Sequence, residues 1–194
     1  MWARPYAWVV HLGAAWPVAW TGWQFLTARL GPDPVGTITR RGGRAALVFL
    51  LLSLVPGAVQ RVASCRVLLA LRRPLGLYAF GYAALHLVSH VALGYGLQMG
   101  LFVDSLAQER FVLIGLASFG LLAPLALTST HRWQQRLGRR WAQLHRLVYL
   151  AAALAVWHYG WAFKEWRRAP LAAALVLVLL LLPRLWRSGR SAKA

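Results

Sequence analysis

Six apolar segments, each close to the length of a membrane-spanning helix, follow one another along this 194-residue sequence. They cover roughly residues 7–27, 45–60, 75–97, 110–128, 142–163 and 169–186. A helix needs about 20 apolar residues to cross a hydrocarbon core about 30 Å thick, and inside lipid each backbone polar group needs a partner within the chain. The sequence therefore predicts an all-α membrane protein, a six-transmembrane-helix bundle that forms a single domain over residues 1–194.

The charged residues are strongly unbalanced, with 22 Lys and Arg against four Asp and Glu. Such an excess often indicates nucleic-acid binding, but here the Arg residues separate apolar runs and form no continuous basic face. We therefore expect membrane lipid and no nucleic acid as a partner, with the loop charges setting orientation. With the N-terminus inside, fourteen basic residues fall on the inner side and eight on the outer side, which predicts cytoplasmic termini. A basic loop at 29–44 argues against this orientation.

Five of the six histidines lie in the predicted spans. They are His11 in the first span, His86 and His90 in the third, and His145 and His158 in the fifth. Ionisable groups at membrane depth are costly, so each is a functional candidate. The four acidic residues all fall in predicted loops, which disfavours a pump built on carboxylates within the membrane. For His11 we expect only a hydrogen bond to a neighbouring helix.

His86 and His158 have the placement expected of two axial ligands to one b-type haem. Their spans run parallel, because a single span lies between them, and both residues fall at similar depth in the outer half of the bilayer. A haem iron takes one or two nitrogen ligands and needs an apolar slot for its macrocycle. Covalent c-type attachment is excluded, since Cys65 is the only cysteine. No His, Cys or carboxylate cluster in the sequence has the spacing of a zinc site.

A second haem is suggested by His145, which lies thirteen residues, or about 20 Å along a helix, before His158. The alternative is that His145 is solvated near the basic interface around it. Its counterpart on the third span is Arg72, a residue better suited to a haem propionate than to iron. His90 lies one turn beyond His86, and three roles stay open for it: an alternate ligand, a propionate contact or a polar residue of the outer face.

Several longer motifs resemble the YedZ/MsrQ family, the haem-binding membrane subunits of the bacterial periplasmic protein methionine-sulfoxide reductase system. They are DPV at 33–35, RRPLGLYAFGYAALHLVSH at 72–90, LALTST at 125–130, RLGRRWAQLHRLVYLAA at 136–152 and HYGW at 158–161. The resemblance runs over nearly the whole chain and implies a ferric-reductase-like bundle with haem histidines on the third and fifth spans. It implies haem binding by His86, His145 and His158 and a role for Arg72. An aromatic residue is expected at the position of His90, so the resemblance assigns His90 no role.

The resemblance implies a multi-pass protein of the bacterial inner membrane that is an electron-transfer subunit of an oxidoreductase system rather than its catalytic subunit. Electrons would come from the quinone pool or from a cytosolic flavin reductase. They would reach a periplasmic molybdopterin methionine-sulfoxide reductase, which repairs oxidised proteins. The implied cofactors are one or two b-type haems and FMN.

Two other classes of function stay open on the sequence. One is a self-contained reductase that delivers electrons to ferric iron or oxygen, and the other is a non-redox transporter or assembly factor whose histidines only bind neighbouring helices. No segment of the sequence is long and polar enough for a domain that binds NADPH and FAD. We therefore expect the electron donor and acceptor to be other molecules.

Overall fold

The secondary structure is helical, with no strand, in the residues that this computed structural model describes, which are 5–63, 67–162 and 168–191. Its α-helices are α1 Pro5–Leu26, α2 Pro34–Ala63, α3 Arg72–Ser89, α4 Met99–Gln108, α5 Arg110–Leu127, α6 His131–Leu137, α7 Arg139–Leu144, α8 Leu147–Ala162 and α9 Arg168–Ser191. A 3-10 helix, Val67–Leu71, leads into α3, and a π-helix, His90–Gly94, continues it. Cys65 and Glu165 lie outside the described residues.

Among the described residues, three helical segments are long and apolar enough to cross a membrane, namely Pro34–Ala63, Leu68–Gly94 and Arg110–Leu127. Arg168–Pro183 is a shorter apolar helical stretch. Many apolar side chains point outwards, such as Trp16 at 64% exposure and Leu127 at 70%. An apolar outer surface of this extent suits a bundle surrounded by lipid. The all-α prediction is confirmed, whereas the count of six spans and the cytoplasmic termini stay predictions.

The prediction of a basic loop at 29–44 is wrong, because residues 34–44 form the first three turns of α2. The cause is a strong helix start. Pro34 occupies the first helical position, where its missing N–H costs nothing, and Asp33 caps the helix. The Gly36 N–H donates to Asp33 Oδ1 at 2.8 Å, and the Arg40 guanidinium donates to Asp33 Oδ2 at 3.0 Å. The helix therefore begins eleven residues before the apolar run does.

We expect Asp33→Ala to loosen the first turn of α2, while Asp33→Asn loosens it much less. An Asn oxygen still caps a helix, and the exposed ion pair with Arg40 contributes little. The Gly36 amide, and to a smaller degree Arg40, hold the pKa of the Asp33 carboxyl below its usual value. Its stabilising effect is therefore complete above the unfolded-state pKa and is lost as the pH falls through the depressed one. Hydrogen exchange of the Gly36 amide in detergent, measured for both variants, checks this; equal exchange in the two would contradict it.

Two antiparallel helix pairs make up the centre of the bundle. α2 packs most extensively against α3, and α5 packs against α8. Ala79, Ala151 and Ala152 are fully buried, as small residues at close helix contacts are. The Ser118 hydroxyl on α5 donates to the carbonyl of Ala151 on α8 at 2.9 Å. Contacts between the two pairs are much sparser than contacts within each, and α9 packs against α2 and α8.

Candidate functional site

His86 and His158 face each other near the same end of the two helix pairs. Their ring centroids are 6.1 Å apart and their planes are inclined at 68°. An imidazole nitrogen binds a first-row metal ion at about 2 Å, so two rings on opposite sides of one iron have centroids about 6 Å apart. The separation of the two rings therefore fits two imidazoles that bind one iron between them.

Both imidazoles are held by the backbone of the neighbouring helix in the same way. Nδ1 of His86 bonds to the Thr39 carbonyl on α2 at 2.8 Å, and Nδ1 of His158 bonds to the Phe111 carbonyl on α5 at 2.8 Å. A carbonyl only accepts, so Nδ1 must carry the proton. This fixes the tautomer in which Nε2 has the lone pair, and metal-binding histidines are commonly oriented by such a bond.

Two glycines let the imidazoles come this close to the partner helices. A Cβ placed at Gly43 on α2 would lie 3.1 Å from the His86 ring, and one placed at Gly115 on α5 would lie 2.9 Å from the His158 ring. Real Cβ atoms almost never approach another heavy atom as closely as the one at Gly115 would, and the distance at Gly43 is tighter than nine in ten real Cβ contacts. Any larger residue at either position would push the imidazole away from the carbonyl that holds it.

The two halves of the site repeat each other at a spacing of 72 residues. Phe111, Gly115 and His158 each follow their counterparts Thr39, Gly43 and His86 by 72 positions. The sequence alone did not point to the carbonyls that accept these hydrogen bonds or to the glycines. The signal that could have found them is the shared interval of 43 residues between each glycine and its histidine.

A cavity of about 410 Å³ opens between the helix pairs and includes both imidazoles in its wall. All its lining residues except Val35, Gly36 and Gly94 fall into pairs 72 positions apart, such as Leu50 with Leu122. Most of the wall is apolar, and the volume lies within the range of about 300–1,000 Å³ typical of ligand and cofactor sites. An apolar slot flanked by two oriented imidazoles fits the demands of a b-type haem.

The same residues do not suit a metal ion bound by protein alone. Within the part of the chain that the structure describes, no group of three or more His, Cys, Asp or Glu side chains could hold a metal ion. A structural metal site needs about four protein ligands. His86 and His158 provide two, so the metal that they fit is one whose remaining ligands belong to a macrocycle.

His90 lines the same cavity. It begins the π-helix, and its ring meets Tyr95 and Phe102 edge-on, with centroids 5.3 and 6.2 Å away. Its Nε2 is buried and has no hydrogen-bond partner. The counterpart of His90 in the second half, 72 positions later, is Ala162, so the third imidazole is a departure from the repeat.

His145 does not lie within the long helix predicted over 142–163. α7 ends at Leu144 and α8 begins at Leu147, because the Arg146 N–H bonds to the Gln143 carbonyl three residues back, a tighter turn than that of an α-helix. His145 Nδ1 contacts the Trp141 carbonyl at 3.1 Å, and the two rings stack with centroids 3.9 Å apart. His145 Nε2 is buried and has no hydrogen-bond partner.

Arg72 lies at this same end of the bundle, away from the His86–His158 pair. Its guanidinium donates to the Tyr149 hydroxyl at 3.3 Å and is close enough to interact electrostatically with His145. The structure therefore groups the five candidate residues as His86, His90 and His158 at one end and His145 with Arg72 at the other. His11 is in neither group, and its Nδ1 contacts the Tyr78 hydroxyl on α3 at 2.6 Å, the interhelical bond that the sequence predicts.

Comparisons with known proteins point to one family. Residues 42–156 match the family described as the ferric reductase like transmembrane component. The haem-binding subunit MsrQ of protein-methionine-sulfoxide reductase from Xanthomonas oryzae pv. oryzae (strain MAFF 311018) is 39% identical, over 96% of this chain and 89% of the relative. The subunit of the same name from Brucella ovis is 38% identical, over 94% of this chain and 81% of the relative. No solved structure matches significantly.

Proposed function

This chain belongs to the MsrQ family of haem-binding subunits, and from that premise we propose that it conducts electrons across the bacterial inner membrane. The proposed acceptor is a periplasmic molybdopterin methionine-sulfoxide reductase that repairs oxidised proteins. The chain is then the electron-transfer subunit of that system, and the partner carries the catalytic site. The observation that carries the proposal is the facing pair of His86 and His158. Their ring centroids are 6.1 Å apart, and both rings line an apolar cavity.

In this proposal the imidazoles of His86 and His158 would together hold one b-type haem through its iron. A haem held there supplies reversible one-electron chemistry at a potential tuned by its axial ligands and its burial. The carbonyls of Thr39 and Phe111 keep both imidazoles in the ligating tautomer. The apolar wall of the cavity excludes water. Electron transfer at such a site needs no general acid, base or nucleophile from the chain.

We assign His145 to a second haem at the opposite end of the bundle. Its support is the buried, unpartnered Nε2, since a buried nitrogen without a hydrogen bond is costly unless a ligand satisfies it. Its Nδ1 contact with a backbone carbonyl repeats the pattern of the first pair. Arg72 is a propionate contact in this assignment, because a guanidinium near His145 suits a carboxylate better than it suits iron.

The electron donor is proposed to be quinol or a cytosolic flavin reductase, reached at the end of the bundle that carries His145. Arg132, Trp133 and Arg136 line a shallow depression on α6, and the Arg136 guanidinium lies 5.6 Å from the centroid of the Trp133 ring. A basic and aromatic surface of this kind suits a flavin, because guanidinium groups bind phosphate and indole rings stack on planar systems. FMN is therefore placed on this surface in our proposal.

The experiment that tests the function uses the purified full-length protein and its candidate acceptor. We expect the dithionite-reduced minus oxidised spectrum to show the α-band of a b-type cytochrome. We further expect the reduced protein to be reoxidised by the purified periplasmic reductase when methionine sulfoxide is present, and not by ferric chelates. Omitting methionine sulfoxide is the control, because without it the acceptor takes up few electrons.

Two results would contradict the proposal in different ways. Absence of a b-type α-band would leave only the non-redox reading of these histidines. Reoxidation by ferric chelates or oxygen at least as fast as by the periplasmic reductase would instead indicate a self-contained reductase.

A further inference from the structure

Arg41 on α2 carries a buried hydrogen-bond donor that has no partner among the described residues. Its Nη2 donates to Oε1 of Gln24, near the end of α1, at 2.7 Å. Its Nη1 is buried and makes no hydrogen bond. Buried polar groups are nearly always hydrogen-bonded, so the unpaired Nη1 indicates a ligand or an ordered water molecule between α1 and α2.

The charge of Arg41 is likewise not balanced within the part of the chain that the structure describes. Gln24 is a neutral amide. Asp33 is the carboxylate closest to Arg41 along the sequence, and it is already engaged by the Gly36 amide and by Arg40. A guanidinium stays protonated in proteins, and a charge withdrawn from water is costly unless an opposite charge compensates it. An anion therefore fits this position better than water does.

The contact between Gln24 and Arg41 lies at the level of a membrane surface. It is close to the connection between α1 and α2, which spans 27–33. Trp20 and Trp23, in the last two turns of α1, are exposed, and exposed Trp residues are typical of the headgroup level of a bilayer. The anion available at that level is the phosphate of a phospholipid headgroup, and a guanidinium binds phosphate well.

We propose that Arg41 and Gln24 form a phospholipid site at the junction of α1 and α2. The headgroup phosphate accepts a hydrogen bond from Arg41 Nη1 and balances its charge, while Gln24 holds the guanidinium in place through Nη2. Neither residue lines the cavity of His86 and His158, so the site is independent of the proposed redox function. α1 contacts α2 far less extensively than α3 does, and the bound lipid adds to the packing of α1.

The test measures phosphatidylglycerol binding to the full-length protein in detergent by native mass spectrometry. We expect Arg41→Gln to weaken binding of the tightest-bound lipid about ten- to a hundredfold, the range for a hydrogen bond to a charged group. Arg61→Gln is the matched control and should leave that affinity unchanged. It removes the same charge from the other end of α2, where the Arg61 guanidinium donates to the Gly57 carbonyl. Diacylglycerol, which lacks the phosphate, should bind equally to the wild type and to Arg41→Gln.

A second variant separates loss of the site from loss of the fold. Arg41→Leu removes the buried charge itself, and replacing a buried charge by an apolar side chain is often neutral or stabilising. Its thermal unfolding midpoint in lipid-free detergent should therefore equal or exceed the wild-type midpoint. Added phosphatidylglycerol should then raise the midpoint of Arg41→Leu less than it raises the midpoint of the wild type.

Three results would overturn the lipid site. Equal affinity of the wild type and Arg41→Gln for phosphatidylglycerol would indicate ordered water at Nη1. Displacement of the tightest-bound lipid by an excess of inorganic phosphate would identify free phosphate as the ligand. Glu165 lies outside the described residues, so Glu165→Gln is measured as well. If it destabilises the lipid-free protein and Arg41→Leu suppresses that loss, the compensating charge is this carboxylate and not a lipid.

Discussion

We expect His158→Ala to abolish the low-spin b-type spectrum of the His86–His158 site, and His86→Ala to do the same. Loss of a residue that only orients a metal ligand costs about 10- to 100-fold in affinity, so loss of the ligand itself should cost more. The two variants should behave alike, because each removes one of two equivalent imidazoles that a backbone carbonyl holds in place. Pyridine haemochrome content and the reduced spectrum of the purified variants measure the effect.

His11→Ala is the matched control for these variants. It removes another histidine that bonds across helices, to Tyr78, but does not line the cavity. Free imidazole should restore the low-spin spectrum of His158→Ala, since the truncation leaves room for it. Full haem content in both ligand variants would refute the assignment.

The inclination of the two imidazole planes makes a separate spectroscopic readout possible. Planes inclined at 68° act on the two iron π orbitals in nearly opposite senses, so those orbitals stay close in energy. The ferric protein should then give a strongly anisotropic low-spin EPR signal. A signal typical of parallel imidazoles would contradict this arrangement of the rings.

The second large effect is expected from single methyl groups placed behind the imidazoles. Gly115→Ala puts a Cβ 2.9 Å from the His158 ring, and Gly43→Ala puts one 3.1 Å from the His86 ring. The ring has to move, and the Nδ1 bond to its carbonyl then lengthens. We expect about tenfold weaker haem binding for Gly115→Ala, comparable to loss of an outer-shell partner, and a smaller effect for Gly43→Ala. The rates of haem release from the two haem-loaded variants measure which substitution weakens haem binding more.

Gly42 provides the control within the same helix turn. A Cβ there would lie 3.5 Å from the His86 backbone, which is an ordinary contact. Replacing Gly by Ala in a helix interior is itself stabilising by about 1 kcal/mol, so Gly42→Ala should be neutral or slightly stabilising. The same gain applies at Gly43 and Gly115, and weaker haem binding there would therefore arise from the imidazoles. Equal haem release from all three variants would contradict the close-approach argument.

The helical class and the meeting of His86 with His158 could be predicted because both follow from regular spacing. Apolar runs of span length dictate helices, and depth along a helix follows from its rise per residue. The spacing of apolar residues could not predict the start of α2, because the Arg and Gly residues of 34–44 are typical of a loop. A cap by Asp33 and a proline at the first turn outweigh that composition. The break at His145 was missed for the opposite reason, because the apolar pattern continues across it.

The carbonyls of Thr39 and Phe111 could not be predicted as parts of the site either. A backbone carbonyl carries no side-chain signature, and its role depends on which turn of α2 or α5 faces the ring. Gly43 and Gly115 could not be predicted either, because they contribute only by lacking a Cβ atom. The one pattern in the sequence that relates these residues is the interval of 72 positions between the two sets of carbonyl, glycine and histidine. In a single sequence this interval is visible at only a few positions.

The repeated half-sites have a consequence for how the molecule is made. Each hairpin, α2 with α3 and α5 with α8, brings its own histidine, carbonyl and glycine, so each half can be complete as soon as its two helices are inserted. Synthesis delivers the α2–α3 half first. Since the two hairpins contact each other sparingly and α9 packs against both, we expect a bound cofactor to strengthen their association. Haem uptake would then be the last step of assembly. The absorbance of bound haem would therefore show that both hairpins have been inserted.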